Sequence, residues 1–308
     1  VSRNIGIRAA AGEIVAFIDD DALPEFDWLN QALPAFADPD VAGVGGIVFD
    51  HTGMELQYRY SAANRFGEAT FRSSEPFDDL CSPGSFQFPY LQGTNALFRR
   101  SALEEIGGFD ETFEYYLDET DVCCRLVDAG FILRQLPDAP VHHKFLPSDV
   151  RSADRVITNW SPMIKNLTYF GFRHALGSFD EREIMQRSQA FVTKCASDAA
   201  SHEKGGRLPK GSAKNVERIG VEAMARGAAL GRERHDLRLR RLPPADSADF
   251  RPYPVLDRAH GRRVVIISGD YPPRMTGGIA RFIGDVAPVL AAQGNEVRVI
   301  TRSAAHGM

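Results

Sequence analysis

Short apolar runs alternate with helical segments over residues 1 to 150, and that alternation predicts an α/β fold. Two stretches sharpen the prediction. "GEIVAFIDDDALPEFDW" drives five apolar residues, Ile14 to Ile18, straight into three adjacent aspartates, as a buried strand does when it ends at a polar sheet edge. From residue 262, "RRVVIISGDYPPRMTGGIARFIGDVAPVLAAQGNEVRVIT" reads as strand, Gly-rich loop, helix and strand, a partial βαβ unit that opens a second domain.

The elements follow in order. "EIVAFID" is a continuous apolar run of the kind expected of a parallel strand covered on both faces. "WLNQALPAF" predicts a short helix with Leu29, Leu33 and Phe36 on one face, with Pro34 working against its continuation. "VAGVGGIVF" predicts a strand whose glycines admit close backbone approach. "DETDVCCRLVDAG" predicts a helix with Asp118 as N-cap, Asp121 paired to Arg125 at i,i+4, and Gly130 at C′. "FILRQLP" returns as a strand, and "PVHHKF" after it sets His142 and His143 at a strand end.

Residues 151 to 250 read as a helical extension and linker. Within them "VITNWSPMIKNLTYFGF" is amphipathic and aromatic, so it either packs back on the domain as a helix or rests on a membrane surface. Residues 178 to 250 are polar and charged, the pattern of exposed helix plus linker, with the basic cluster before Leu242 as a solvated face.

Composition excludes several classes. A formal charge of −5 argues against a nucleic-acid partner, which calls for a basic footprint. No apolar run approaches the ~18 residues needed to cross a bilayer. Cys81, Cys123, Cys124 and Cys195 make no CxxC pattern and read as reduced thiols, which places the chain in the cytoplasm. If the aromatic stretch meets lipid, that place is the inner face of the plasma membrane. The text opens at Val1 as if in mid-domain and stops just after an apparent strand, so a piece of a longer protein is expected.

The chemistry gathers in three places. Ligands of open parallel sheets sit beyond the carboxyl ends of strands, where Asp19, Asp20 and Asp21 fall. Such an oxygen-rich knot suits a hard divalent cation, Mg²⁺ or Mn²⁺, which also holds substrate phosphates; a loop of helix-capping aspartates is the alternative. Asp118, Glu119 and Asp121 crowd a helix start. Capping and the Arg125 pair account for Asp118 and Asp121 and leave Glu119 without a structural task. A carboxylate there is held ionised by the helix dipole, the state a general base needs. Successive strand residues face opposite ways, so one of His142 and His143 faces the acidic cluster as a metal-ligand candidate.

"VSRNIGIRAAAGEIVAFIDDDALPEFDWL", "LQGTNALFRRSALEEIGGFDE", "YLDETDVCCRL" and "VHHKF", in this order, resemble the family 2 glycosyltransferases of the GT-A fold. The resemblance covers roughly residues 1 to 150 and implies a mixed sheet of the nucleotide-diphospho-sugar transferase type. It implies that Asp19 and Asp21 bind the metal and the nucleotide diphosphate, with Asp20 beside them. By the same resemblance the catalytic base is Glu119, with Asp118 as the alternative because "DE" stands here where "ED" is commoner. The family's late metal-ligand histidine falls on His143. Gly93, Thr94 and Asn95 match the segment beside donor sugar and acceptor, and Arg3 and Asn4 the element near the nucleotide diphosphate. The family's opening strand and loop, which hold base and ribose, are expected before Val1. The implied reaction is inverting transfer from a nucleoside-diphosphate sugar to a hydroxyl of a glycan or lipid-linked acceptor. A divalent cation offsets charge on the leaving diphosphate, and no carboxylate nucleophile is needed, unlike retaining hydrolysis. Bacterial surface polysaccharide or glycolipid synthesis is the implied setting.

"SGDYPPRMTGGIARF" and "LAAQGNEVRVIT" resemble the start of the family 4 glycosyltransferases, of GT-B fold. Gly277 and Gly278 open a helix whose N-terminus suits an anionic or acceptor group, or merely permits tight strand–helix packing. The loop lacks G-x-G-x-x-G, which disfavours a dinucleotide. Two other classes stay open: a nucleotidyltransferase on a similar sheet, which does not require Glu119, and a non-catalytic sugar-binding or scaffold domain, in which the acids are only caps.

Overall fold

A computed structural model describes residues 2–236, 239–242, 262–268 and 278–301. The chain divides into two compact units, Val1–Asp249 and Phe250–Met308. The first opens with α1 (Ser2–Ala9), β1 (Ile14–Phe17), β2 (Ala22–Pro24) and α2 (Trp28–Ala32). The strands β3 (Val41–Asp50), β4 (Leu56–Tyr58), β5 (Tyr60–Asn64), β6 (Ala69–Arg72), β7 (Gln87–Pro89) and β8 (Ala96–Arg99) come next. Then follow α3 (Arg100–Ile106), α4 (Asp118–Asp128), β9 (Ile132–His143), α5 (Ser161–His174), α6 (Glu181–Lys204) and α7 (Ser212–Arg234).

The expected mixed sheet is present. Its strands run β1–β8–β3–β9–β2, with β4 beside β3, while β6–β5–β7 form a smaller sheet. Only β3 and β9 pair in parallel; the other neighbours in the large sheet are antiparallel. β3 is its centre because "VAGVGGIVFD" is apolar on both faces and almost wholly buried. Its glycines work as expected: a Cβ on Gly46 would fall 1.8 Å from the Ala139 carbonyl oxygen, so only glycine lets β9 press this close.

Three local expectations need correction. β1 is an edge strand antiparallel to β8, with Val15 its one buried residue, because an apolar run this short does not distinguish parallel from antiparallel pairing. In α2 the buried face is Trp28 and Ala32, whereas Leu29 and Leu33 are exposed; Trp28 sets the face by donating its indole N–H to Asn95 Oδ1 at 2.9 Å. Beyond Ala32 the chain tightens to a 3₁₀ turn around Pro34. At α4 the N-cap is Leu117, at φ 72°, and Asp118 already lies in the first turn with its carboxylate turned away to Arg3. The far end is as expected. Gly130, at φ 93°, closes a Schellman motif with Gly130 N–H on Val127 O and Phe131 N–H on Leu126 O.

Helices α5, α6 and α7 pack together on the sheet domain. α5 is buried all round, with Ile164, Tyr169, Phe170 and Phe172 fully enclosed and Trp160 just before it. Of the two readings of this stretch, the helix packed back on the domain is the one seen. α6 and α7 also bury one face each, through Val192, Cys195 and Ala199, and through Val216 and Ala223, so this region is more packed than its polar composition suggests. A Cβ on Gly231 of α7 would meet Phe172 Cβ at 2.3 Å. α6 starts cleanly because the Asp180 carboxylate accepts from Glu183 N–H at 2.8 Å.

Asp121 fastens α4 to α5 at 0% exposure. One carboxylate oxygen accepts from Arg125 at 2.6 Å, the expected i,i+4 pair, and the other meets His174 Nε2 at 2.9 Å and Arg173 Nε at 3.1 Å. Burial disfavours the charge, but Arg125 and His174 hold the Asp121 carboxyl far below its ordinary value.

The second unit holds β10 (Arg263–Ser268), α8 (Gly278–Ala292) and β11 (Glu296–Thr301), with β10 and β11 parallel over six residue pairs. Gly278 is the first residue of α8; Gly277 lies outside the described residues. Among the described residues no helix is long and apolar enough to cross a membrane.

Candidate active site

The first unit contains a cleft of about 1300 Å³, and its walls collect most of the acids singled out in the sequence: Asp19, Asp20, Asp21, Asp118 and Glu119. The antiparallel pairing of β2 with β9 puts Ala22 opposite His143, which carries the histidine to the aspartates. His143 Nε2 lies 3.1 Å from Asp21 Oδ1 and 3.8 Å from Asp19 Oδ2. One ligand atom from each of the three falls within 4.8 Å of the others. His142 faces the other way, to Glu25 at 2.7 Å. Asp20 is exposed at the cleft wall.

The cluster's partners fit a cation. His143 Nδ1 faces Gln57 Oε1 at 3.2 Å, while the Gln57 amide donates to the His143 carbonyl at 3.0 Å. With Nδ1 held by Gln57, Nε2 is the ring nitrogen turned toward the two carboxylates, an arrangement that a divalent ion would complete. Burial raises the Asp19 carboxyl above its ordinary value, against the pull of His143 and Arg3. Burial opposes the Asp21 charge too, but the Leu146 N–H, 2.7 Å from Asp21 Oδ2, and His143 hold that carboxyl low.

Arg3 joins this cluster to the helix acids. It donates to Asp118, and Asp118, Glu119 and Asp19 together outweigh the burial that works against its charge. Gly93 makes the room: a Cβ there would stand 3.1 Å from Arg3 Nη2 and 3.6 Å from Glu119 Oε1. Glu119 differs from the expectation of a dipole-ionised carboxylate. Burial, then the charge of Asp118 and the hydrogen bond to it, push its carboxyl well above the ordinary value, with Arg3 pulling back. A carboxyl poised upward in this way is the better general base near neutral pH.

The remaining sequence candidates divide. Thr94 lies in the cleft wall, and its buried Oγ1 lacks a hydrogen-bond partner. Asn95 does not face the cleft: its amide donates to Ile47 O and Ala139 O and accepts from Trp28, so it staples β3, β9 and α2. Asn4 is likewise committed, exchanging 2.8 Å bonds with the Phe109 backbone and donating to Glu111. Both are positioning residues in this geometry.

Several cleft residues escaped the sequence reading. Tyr58, Tyr90 and Tyr116 ring Glu119, and burial followed by that carboxylate pushes the Tyr116 phenol up to about 12. Arg151 stacks 3.5 Å over the Phe145 ring and reaches Tyr115 Oη at 3.1 Å. Tyr116, Leu117, Phe145 and Arg155 are the four non-glycine residues at positive φ among the described residues. All four line the cleft or the cavity beside it, and strain of about 1–3 kcal/mol each is a mark of a working site. The tyrosine pair just before "LDE" is the one local signal that pointed here.

Cys124, Asp128 and His174 also lie close together. They are a structural network: both Asp128 oxygens take Arg65, at 2.7 and 2.5 Å, and His174 Nε2 belongs to Asp121. Burial pushes the Cys124 thiol up, opposite to a reactive cysteine.

An acidic cluster at strand ends thus faces a helix-borne carboxylate across one cleft. Residues 1–107, about a third of the chain, match the model of glycosyl transferase family 2. A pre-mycofactocin glycosyltransferase of Mycobacterium tuberculosis is 35% identical over 143 residues, 46% of this chain and 29% of the relative. An N-acetylglucosaminyl-diphospho-decaprenol L-rhamnosyltransferase of the same organism is 43% identical over 56 residues, 18% of either chain. A glucosyl-dolichyl phosphate glucuronosyltransferase of Haloferax volcanii is 27% identical over 152 residues, 46% of each. The chain thus spans less than half the length of these relatives. A solved mannosyltransferase from Pyrobaculum calidifontis aligns over 76% of this chain and 65% of its own at TM-score 0.38 and 19% identity, too distant a likeness to bear on the fold.

Proposed function

We propose that the cleft transfers a sugar from a nucleoside-diphosphate sugar to an acceptor hydroxyl in one inverting displacement. The observation that carries this reading is Arg3, which stands between Glu119 and the Asp19–Asp21–His143 cluster and sets a base and a diphosphate site in one cleft. Asp19, Asp21 and His143 would hold Mn²⁺ or Mg²⁺, which offsets the charge of the leaving diphosphate. Arg3 and Asp20 face the diphosphate, and Gly93 and Thr94 face the sugar. Glu119 takes the acceptor's proton as the hydroxyl attacks the anomeric carbon opposite the leaving group; Asp118 tunes that base.

The relatives' names support a glycan or lipid-linked acceptor, since two of them include a diphospho-decaprenol or dolichyl phosphate unit. Cell-surface polysaccharide or glycolipid synthesis in the bacterial cytoplasm is the setting proposed. For the second unit, the parallel pair β10–β11 and the helix that Gly278 opens support a Rossmann-like start of a family 4 glycosyltransferase domain. Glu119→Gln tests the main reading. Turnover of the active donor, found by screening nucleotide sugars, should fall about 10²–10⁴-fold with donor affinity intact. Unchanged turnover would favour a nucleotidyltransferase, and a donor panel without any turnover or binding would favour a scaffold.

A further inference from the structure

We infer that a side cavity between α5 and α6 binds the non-reacting part of the acceptor and selects one that carries a sugar phosphate. The inference takes its direction from the transfer reading above. The cavity measures about 520 Å³ and meets the cleft at Tyr116, Phe191 and Lys194, which line both. Its volume is that of a small-molecule site. Tyr116 feels the charge of Glu119 on one side and lies by Cys195 of α6 on the other, so a molecule seated here has its reacting end beside the base.

The lining defines the chemistry. Trp160, Phe191 and Tyr116 offer flat apolar faces, suited to the C–H face of a sugar ring. Arg155 and Lys194 stand at the same cavity as cations, against Asp198 as its one carboxylate. Lys194 forms no ion pair among the described residues, whereas Arg187, two turns earlier on α6, is held by Glu68 and Glu183. Arg155 is fixed at φ 59° by a turn in which its N–H donates to Ser152 O at 3.0 Å. His202 adds a buried Nδ1 without a hydrogen-bond partner. Aromatic faces and two cations together fit a sugar bearing a phosphate.

The test needs no turnover. Glucose, galactose and mannose 1-phosphates, each beside its neutral methyl glycoside, are titrated into the full chain with chelator present, followed by ligand-observed NMR and tryptophan fluorescence. At least one phosphate should bind tenfold or more tightly than its neutral counterpart. Lys194→Met, and separately Arg155→Met, should erase that preference while leaving metal-dependent nucleoside diphosphate binding unchanged. A citronellyl-phospho-hexose that binds tighter than the 1-phosphate assigns the group to a lipid carrier; equal binding assigns it to a soluble acceptor. No phosphate preference for any hexose, or one that survives both substitutions, overturns the inference. If the preference stands while no donor or diphosphate binds with metal, the cavity is retained and the transfer reading falls.

Discussion

Arg3 donates to the Asp118 carboxylate across 115 residues of sequence, and its charge also reaches Glu119 and Asp19. One cation thereby acts on two neighbouring acids, and Glu119 is itself hydrogen-bonded to Asp118.

The pH profile should report that tuning. The proposed base, Glu119, would work when ionised, and its carboxyl lies well above the ordinary 4.5, so the acid limb of kcat/KM should fall well above that value. Asp118 raises the Glu119 carboxyl and Arg3 lowers it. Asp118→Asn should therefore move the limb to lower pH, and Arg3→Gln to higher pH. Movement in the same direction would contradict the assignment.

Asp121 holds three side chains at once, Arg125, Arg173 and His174. Removing it in Asp121→Asn strands Arg125, Arg173 and His174 in the interior, and a loss of about 3–5 kcal/mol is expected in urea unfolding of the chain. A loss under 1 kcal/mol would mean the network is not what joins α4 to α5.

His174 predicts an acid-sensitive fold. Burial lowers its folded value below the ordinary 6.5, against the pull of Asp121, so the unfolded chain binds the proton first. Its contribution is present above 6.5 and lost as pH falls below it, by at most about 1.4 kcal/mol per pH unit. The slope of stability between pH 7 and 5 should flatten in His174→Gln.

Gly46→Ala probes the sheet. The added Cβ would meet backbone, the Ala139 carbonyl, which has no rotamer with which to yield. A cost of about 3 kcal/mol is expected from the chemical-denaturation midpoint, against no loss for Gly6→Ala, whose added Cβ has open space on α1.

Much of this site was legible because its residues sit at element ends. A run of apolar residues into Asp19–Asp21, and a strand closing on His142 and His143, announce a sheet edge before any pairing is known. Strand direction was not legible: β1 and β3 carry similar apolar text, yet β1 lies at the edge and β3 at the centre. The role of Asn95 depends on Trp28, Ile47 and Ala139, which are distant in sequence, so a motif match alone could not separate staple from ligand. The tyrosines around Glu119 and the left-handed backbone at Tyr116 and Leu117 are products of packing. The helical region misled through composition, because α6 and α7 need only narrow apolar stripes to cover α5.

The most direct test of the account is calorimetric binding of nucleoside diphosphates to the chain with Mn²⁺, with Mg²⁺ and with chelator, in wild type, Asp21→Asn and His143→Ala. At least one diphosphate should bind tenfold or more tightly with metal, and each substitution should remove this gain. Binding indifferent to metal, or a gain that survives both substitutions, would contradict it.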